Sequence, residues 1–519
     1  MPPDFHNLFA ELKGAVLAKK LVLKDILEKH GSKSLTNYAQ DYFEVNEGPH
    51  FTARQEEFLS SFEPEVARLL GVEVAKSAAN QLRKYFFAST ADHHGPICNP
   101  YFLGSNLVTA ITGLAQNDSV FKHVIVLSCG TVSVDNDTFP RGLTLTGTNS
   151  MGELETLRLP FFSSHERPAL ICLLRAYGQT EITKIRNVAK DLARAGSITQ
   201  ETYYKINALI TEIYDTPENL ALASYSDQIT TTNYQLWEKF FPATVEHPGL
   251  IYLELERFVT RLLLDHHLNK DTILHTLFFT EQGAELLMKN FDGIIGAFST
   301  QDNSGTYLFW AVPKGERYRV RLMKKDGRLV SEDGSYSVPL TPEGIAHALE
   351  VKEIVPGMMV DFIILACYYG LKCLGGFSQV NYLTEFKYAY LKVMAELGET
   401  EELGMVEVLQ TKELGEDMTI AYVGGAKGRT ALATGIDVAL HLAPDTFEIL
   451  KQEASQITLD QALDPMYPLF YKVIYPDWER KESLLSVTAH DITHNTGIEE
   501  KIMPCVKLPE SNNDIVSQN

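Results

Sequence analysis

The chain has 519 residues, 45% hydrophobic and 22% charged, with 34 glycines and 22 prolines. That balance excludes collagen-like, low-complexity and wholly disordered classes, and at roughly 150 residues per domain about three structural units are expected. A formal charge of −21, from 46 Lys+Arg against 67 Asp+Glu, repels a phosphate backbone or an anionic lipid surface, so the expected partner is a small-molecule substrate and neither nucleic acid nor membrane.

Six cysteines (Cys98, Cys129, Cys172, Cys367, Cys373, Cys505) lie far apart with no CxxC, which fits reduced thiols packed as small core residues in the cytoplasm. Met1 to His6 lack a basic segment followed by an apolar one, so no secretory signal is expected. The most apolar stretch, Met358 to Phe377, is broken by Asp361, Lys372 and three glycines and reads as core.

Residues 1–84 read as a helical N-terminal segment, with Leu8, Leu12, Val16 and later Val72, Ala75, Ala79, Leu82 at helical spacing. Residues 85–165 carry a loop, a helix (Leu103, Leu107, Ala110, Ile111, Leu114) and the apolar run Val124 to Cys129, which reads as a strand buried on both faces of a parallel sheet. Loop, helix and buried strand in succession point to an α/β fold. Residues 166–300 are mostly helical, with a second buried strand expected near Gly249–Leu253. Residues 301–345 read as a β insertion, with Tyr307–Val312, Tyr318–Met323 and Arg328–Val330 around a Lys325-Asp326-Gly327 turn. Residues 346–400 return to core, 401–506 are mixed α/β, and 507–519 read as a disordered tail.

Asp92-His93-His94-Gly95-Pro96, followed by Asn99-Pro100, places two imidazoles and a carboxylate just before a helix. A helix start favours an anion, and Gly95 lets backbone approach closely, so this reads as a functional loop. Asp135-Asn136-Asp137 follows the buried strand, where α/β ligands gather; it either holds a metal, an amine or a ribose, or is a solvated turn. Gly375-Gly376-Phe377-Ser378-Gln379-Val380-Asn381-Tyr382 sets flexible glycines and polar side chains before another helix. Gly424-Gly425-Ala426-Lys427-Gly428-Arg429 offers Lys427 and Arg429 to a phosphate, although it lacks the Walker spacing and reads more readily as a basic β-turn. His490 and His494 have metal-pair spacing, but Thr488, Thr493, Thr496 and Gly497 disfavour a helix, and no metal is assigned there. His266-His267, on a leucine-rich helix, reads as surface or satisfied core.

Taken in order, these segments resemble the cysteine-adding enzyme family of bacillithiol biosynthesis. In that family helices precede a loop ending in Gln-Pro-Gly, a Gly-Pro and a helix, and a buried strand then leads to an Asp-His-Asp cluster. The matching places here are Asp92 to Pro96 with Asn99-Pro100, and Val124 to Cys129 followed by Asp135-Asn136-Asp137. The family's Ser-Pro-initiated helix and Gly-Gly-Pro-Gly-Glu-Ile-Ala-Tyr stretch match Leu340-Thr341-Pro342-Glu343 and Gly375 to Tyr382. His93-His94 stand where the family has Gln-Pro, Asn136 where it has His, and Gln379 near its Glu; no long coiled coil is evident after Leu397. The resemblance implies a nucleotidyltransferase-like Rossmann core with inserted helical and β connecting domains, and a shared scaffold more strongly than a shared substrate.

The first reading is therefore a cytoplasmic biosynthetic enzyme of ligase or transferase type, joining an amino-acid-like or amine substrate to a partner through a C–N bond, with ATP or ADP as the candidate cofactor and a homodimer as an open assembly. Asp92, His93, His94 and Asp137 form the expected catalytic set. Gly95, Asn99, Asp135, Asn136, Gly375, Gly376, Ser378, Gln379, Asn381, Tyr382, Lys427 and Arg429 form the expected binding set. The alternatives are a metal-dependent hydrolase or phosphoesterase using the Asp-His-His loop, and a non-catalytic binding protein on the same scaffold.

Overall fold

An apolar run such as Val124–Leu127 demands cover on both faces, and the computed structural model, which describes residues 5–44, 52–136, 141–268, 272–314, 316, 318–425 and 430–509, provides it. The strands β1 (Phe87–Ser89), β2 (His123–Ser128), β3 (Gly249–Glu254) and β4 (Lys372–Leu374) form a parallel sheet in the spatial order β4–β1–β2–β3. Phe87 pairs with Lys372 and Ser89 with Val126, while β2 and β3 run in step from His123–Gly249 to Ser128–Glu254.

Alternation along these strands divides the core in two. Phe87, Val124, Val126, Leu250, Tyr252 and Leu374 join one buried cluster; Ala88, Ile125, Leu127, Ile251, Leu253 and Cys373 join the other. The first face is covered by α1 (Pro100–Ala115), α2 (Tyr225–Trp237) and C-terminal elements, the second by the helices Thr52–Leu70 and Val72–Lys84, α3 (Leu255–Leu262) and α4 (Gln379–Leu397). Asn99 caps α1, its Oδ1 accepting from Tyr101 N at 2.9 Å, and Pro100 occupies the first helical position, where its missing N–H is no loss.

Residues 301–345, expected as a β-hairpin insertion, contribute to a larger antiparallel sheet. Ser337–Pro339, Arg328–Ser331, Val320–Lys325, Phe309–Ala311 and Ile354–Pro356 form a five-stranded antiparallel sheet in that order. Asp326 (φ 48°) and Gly327 (φ 70°) make its tight turn, and the strand before it begins at Val320, paired with Ala311, rather than at Tyr318. A second hairpin, Gly142–Thr148 with Leu154–Pro160, was not foreseen.

Two expectations near the C-terminus are corrected. His490 and His494 do lie on a helix, Ala489–Asn495, because Thr488 serves as its cap, with Asp491 completing the reciprocal box, instead of breaking it. Lys507, placed in the tail, pairs with Gly424 in a short strand; residues 510–519 and the Lys427 and Arg429 loop lie outside the described residues. All six cysteines are free thiols. Among the described residues no helix is long and apolar enough to cross a membrane.

Candidate active site

Past its last paired residue, β1 runs on as an extension of the ladder. Cys129 N donates to the Asp92 carbonyl at 2.7 Å and His94 N donates to the Cys129 carbonyl at 2.8 Å, so the Asp-His-His loop is pinned against the end of β2 and drawn into the interior.

This gives the two histidines different roles. His94 is fully buried and stacked on Tyr252, with ring centroids 5.8 Å apart. His94 Nδ1 lies 2.7 Å from Ser128 Oγ, and Nε2 lies 3.0 Å from Ser226 Oγ and 3.2 Å from the Ser226 carbonyl, which accepts a proton only from Nε2–H. Burial pushes its pKa down to about 3. Both ring nitrogens of His94 are thus engaged by side chains and backbone of two other elements. His93 is partly exposed and meets the Phe102 edge at 5.9 Å. Burial lowers its pKa, against a hydrogen bond with Asn136 and the charge of Glu256, so near neutral pH it is an uncharged imidazole able to accept a proton.

Glu256, on the first turn of α3, gathers the end of β2: it accepts from Gly130 N at 2.7 Å, Thr131 N at 2.9 Å, Thr131 Oγ1 at 2.6 Å and the Cys129 thiol at 3.1 Å. Asp361 is buried with Oδ1 unbonded, and burial together with Glu256 raises its pKa. Glu254 is raised to about 7 by burial and by Glu256. Arg257 and Lys352 oppose the Glu254 shift, while Arg319 is exposed, its guanidinium 4.4 Å from the Trp310 ring and donating to the Thr131 carbonyl at 2.9 Å; among the described residues it has no carboxylate partner.

A second buried acidic group lies at the ends of β1 and β4. Residues 413–417 run beside the Gly375 loop, with Gly375 N donating to the Glu413 carbonyl at 2.9 Å and Gly415 N to the Gly375 carbonyl at 2.9 Å. Ser89 Oγ bridges Glu416 and Asp92, and Asn106 Nδ2 donates to Asp92 Oδ2 at 3.1 Å. Burial raises both carboxyls and their proximity raises Glu416 further, so the pair holds at least one proton. Asp417, raised to about 6, accepts from Phe377 N at 2.7 Å; a Cβ on Gly376 would come within 2.8 Å of its Oδ2, which explains that glycine. Gln379 Nε2 donates to Thr90 Oγ1 at 2.5 Å while its Oε1 stays unbonded.

Other expected site residues have structural partners. The Gly95 carbonyl accepts from Asn233 Nδ2 at 2.8 Å, Asn99 caps α1, and Asp135 pairs with Arg167 at 2.8 Å and Arg141 at 3.5 Å. Asn381 bonds Val22 N at 3.0 Å and the Phe377 carbonyl at 2.9 Å, and the Ser378 carbonyl accepts from Tyr382 N at 3.2 Å. Tyr382 packs on Phe362 and Phe386, close enough to Asp361 and Cys129 for their charges to raise its phenol pKa further, beyond what burial does. Asp137 lies outside the described residues.

The edge therefore unites His93, Asn136, Tyr382, Gln379 and Asp92 from the expected set, and adds Glu256, Asp361, Glu416, Asp417 and Arg319. These additions carry no local signature: each is a single charged residue whose position is decided by tertiary packing. Among the described residues no three His, Cys, Asp or Glu side chains are placed to hold a metal ion, and the ring of His94 is occupied on both sides, so the Asp-His-His chelate does not assemble from them. No protein-family model and no curated protein sequence matches the chain.

Proposed function

We propose that the chain is an enzyme of ligase or transferase type that binds an amino-acid-like zwitterion at the carboxyl edge of the sheet and joins its amine to an electrophilic partner. What carries this reading is one constellation: the neutral, partly exposed His93 and Arg319, which has no carboxylate partner among the described residues, linked through Glu256, the former by its charge and the latter through Thr131. Arg319 is suited to the substrate carboxylate, and Glu256 with Asp361 to its ammonium. His93 takes a proton from that ammonium, the freed nitrogen lone pair forms the C–N bond, and the partner's leaving group departs with the electron pair of the bond that breaks. ATP is the proposed means of activating the partner. A Rossmann-like core with inserted connecting domains is the scaffold proposed for this chemistry; the four parallel strands with helices between them, and ligand groups outside their carboxyl ends, support it.

Calorimetric titration of the purified protein with free amino acids and simple amines, with and without ATP, tests the reading. At least one amino acid should bind, and Arg319→Ala should weaken it by about 10- to 100-fold, the worth of a charge-assisted hydrogen bond. Failure of every amino acid to bind, or equal binding by Arg319→Ala, would overturn it.

A further inference from the structure

A cavity of about 670 Å³ lies between the Gly142–Pro160 hairpin, the strands Tyr422–Gly424 and Thr430–Leu432, the start of α1 and the helix Ala489–Asn495, within the range of small-molecule sites. His93, Glu256 and Arg319 do not line it.

Strand alternation fixes what the hairpin presents to this space. Thr144 pairs across the ladder with Arg158, and Thr146 with Thr156, so these four side chains share one face; Leu143, Leu145, Leu157 and Leu159 occupy the other and are buried in the core. Glu155, opposite Gly147, and Glu153, which accepts from Asn149 Nδ2 at 3.1 Å, also line the cavity. Arg158 is exposed and, among the described residues, has neither an ion-pair nor a hydrogen-bond partner. In a chain with 67 carboxylates, a guanidinium left unpaired at a cavity wall is available for a ligand.

The buried carboxylate bonded to Thr146 is committed to its own partners. Asp437 is satisfied by Thr146 N at 2.8 Å, Thr146 Oγ1 at 2.7 Å, Thr434 N at 2.9 Å and Thr434 Oγ1 at 2.9 Å. Leu154, Leu432, Tyr101 and Tyr422 add an apolar and aromatic wall. The sixteen-residue helix α1 starts at this wall, its dipole adding positive potential.

We propose that this cavity is a binding site for a small molecule carrying a carboxylate or phosphate group on an aromatic or aliphatic body, with the oxyanion on Arg158 and the body against Tyr101 and Leu432. A guanidinium offers two parallel donors to either oxyanion, and the hydroxyl of Thr156 stands beside it. The site does not depend on the reaction proposed for the carboxyl edge.

Calorimetry with naphthyl phosphate, naphthoate and uncharged naphthol tests it on the full chain. At least one anion should bind more tightly than naphthol, and the tighter of the two identifies the oxyanion. Arg158→Ala should weaken that anion by at least about tenfold, Arg158→Lys should restore part of the loss, and His93→Gln should bind as wild type. Because Arg158 is exposed and unpaired, the melting temperature of Arg158→Ala should match wild type. Absence of anion binding at millimolar concentration, or equal binding by wild type and a folded Arg158→Ala, would overturn the proposal.

Discussion

Burial without a counter-charge is the recurring condition of single residues here, and it predicts how stability responds to pH. Glu453 is 1% exposed, accepts from Met503 N at 2.6 Å through Oε1, leaves Oε2 unbonded, and is raised by burial to about 8 from an ordinary 4.5. A carboxyl raised on folding holds its proton more tightly in the native state, so its contribution is fully present below about pH 4.5 and is lost as pH rises through 8. Glu254 near 7 and Asp417 near 6 act with the same sign. Glu453→Gln keeps the acceptor for Met503 and removes the titration. Thermal melts should therefore show the variant gaining on wild type from pH 5 to about pH 8 and the difference levelling off above it; a constant difference across pH 5 to 8 would contradict the assignment. At this scale the sequence disclosed His93 because two imidazoles beside Gly-Pro form a local pattern. Glu256, Asp361 and Glu416 have no such pattern, since the same residue types sit harmlessly on exposed helices throughout the chain. His94 too, though part of that local pattern, takes its position from Ser128 and Ser226 on two other elements.

Between elements, close backbone approach holds the carboxyl edge together. Gly104 on α1 faces residues 418–420, and a Cβ there would come within 2.2 Å of the Met418 carbonyl oxygen. Since backbone cannot yield as a flexible side chain can, Gly104→Ala should destabilise by about 1–3 kcal/mol, as overpacking does elsewhere, and denaturant titration should report it; an unchanged midpoint would show that the 418–420 segment is not anchored on α1. Most elements on this edge were legible: the apolar runs of β2 and β3, the Asn-Pro start of α1 and the glycine pair before α4 each announce a period or a cap. The Gly142–Pro160 hairpin was not, because Thr-Leu-Thr and Glu-Thr-Leu-Arg alternate too briefly to separate from loop. Residues 413–417 were not either, for they form no regular element and matter only through bonds to the Gly375 loop.

Across the whole molecule, the excess of acid has two destinations. Among the described residues, much of it is exposed or paired with Lys and Arg, while a minority is buried at the carboxyl ends of β1 to β4, beside His93 and Arg319. That concentration, rather than the net charge of −21, is what the proposed reaction rests on. The α/β class and the parallel sheet were legible from hydrophobic period alone, whereas the sheet order β4–β1–β2–β3 was not, because it depends on a pairing between residues 87 and 372 that no local signal announces. The central claim, that His93 moves the proton of an amine at this edge, is tested most directly by incubating wild type and His93→Gln with the small-molecule pool of the producing cell and following masses over time. Wild type should consume an amine-bearing metabolite and form a larger conjugate, and His93→Gln, folded and melting like wild type, should form it about 10²- to 10⁴-fold more slowly. Conjugate formation at the wild-type rate by His93→Gln, or no new mass with wild type, would contradict the account.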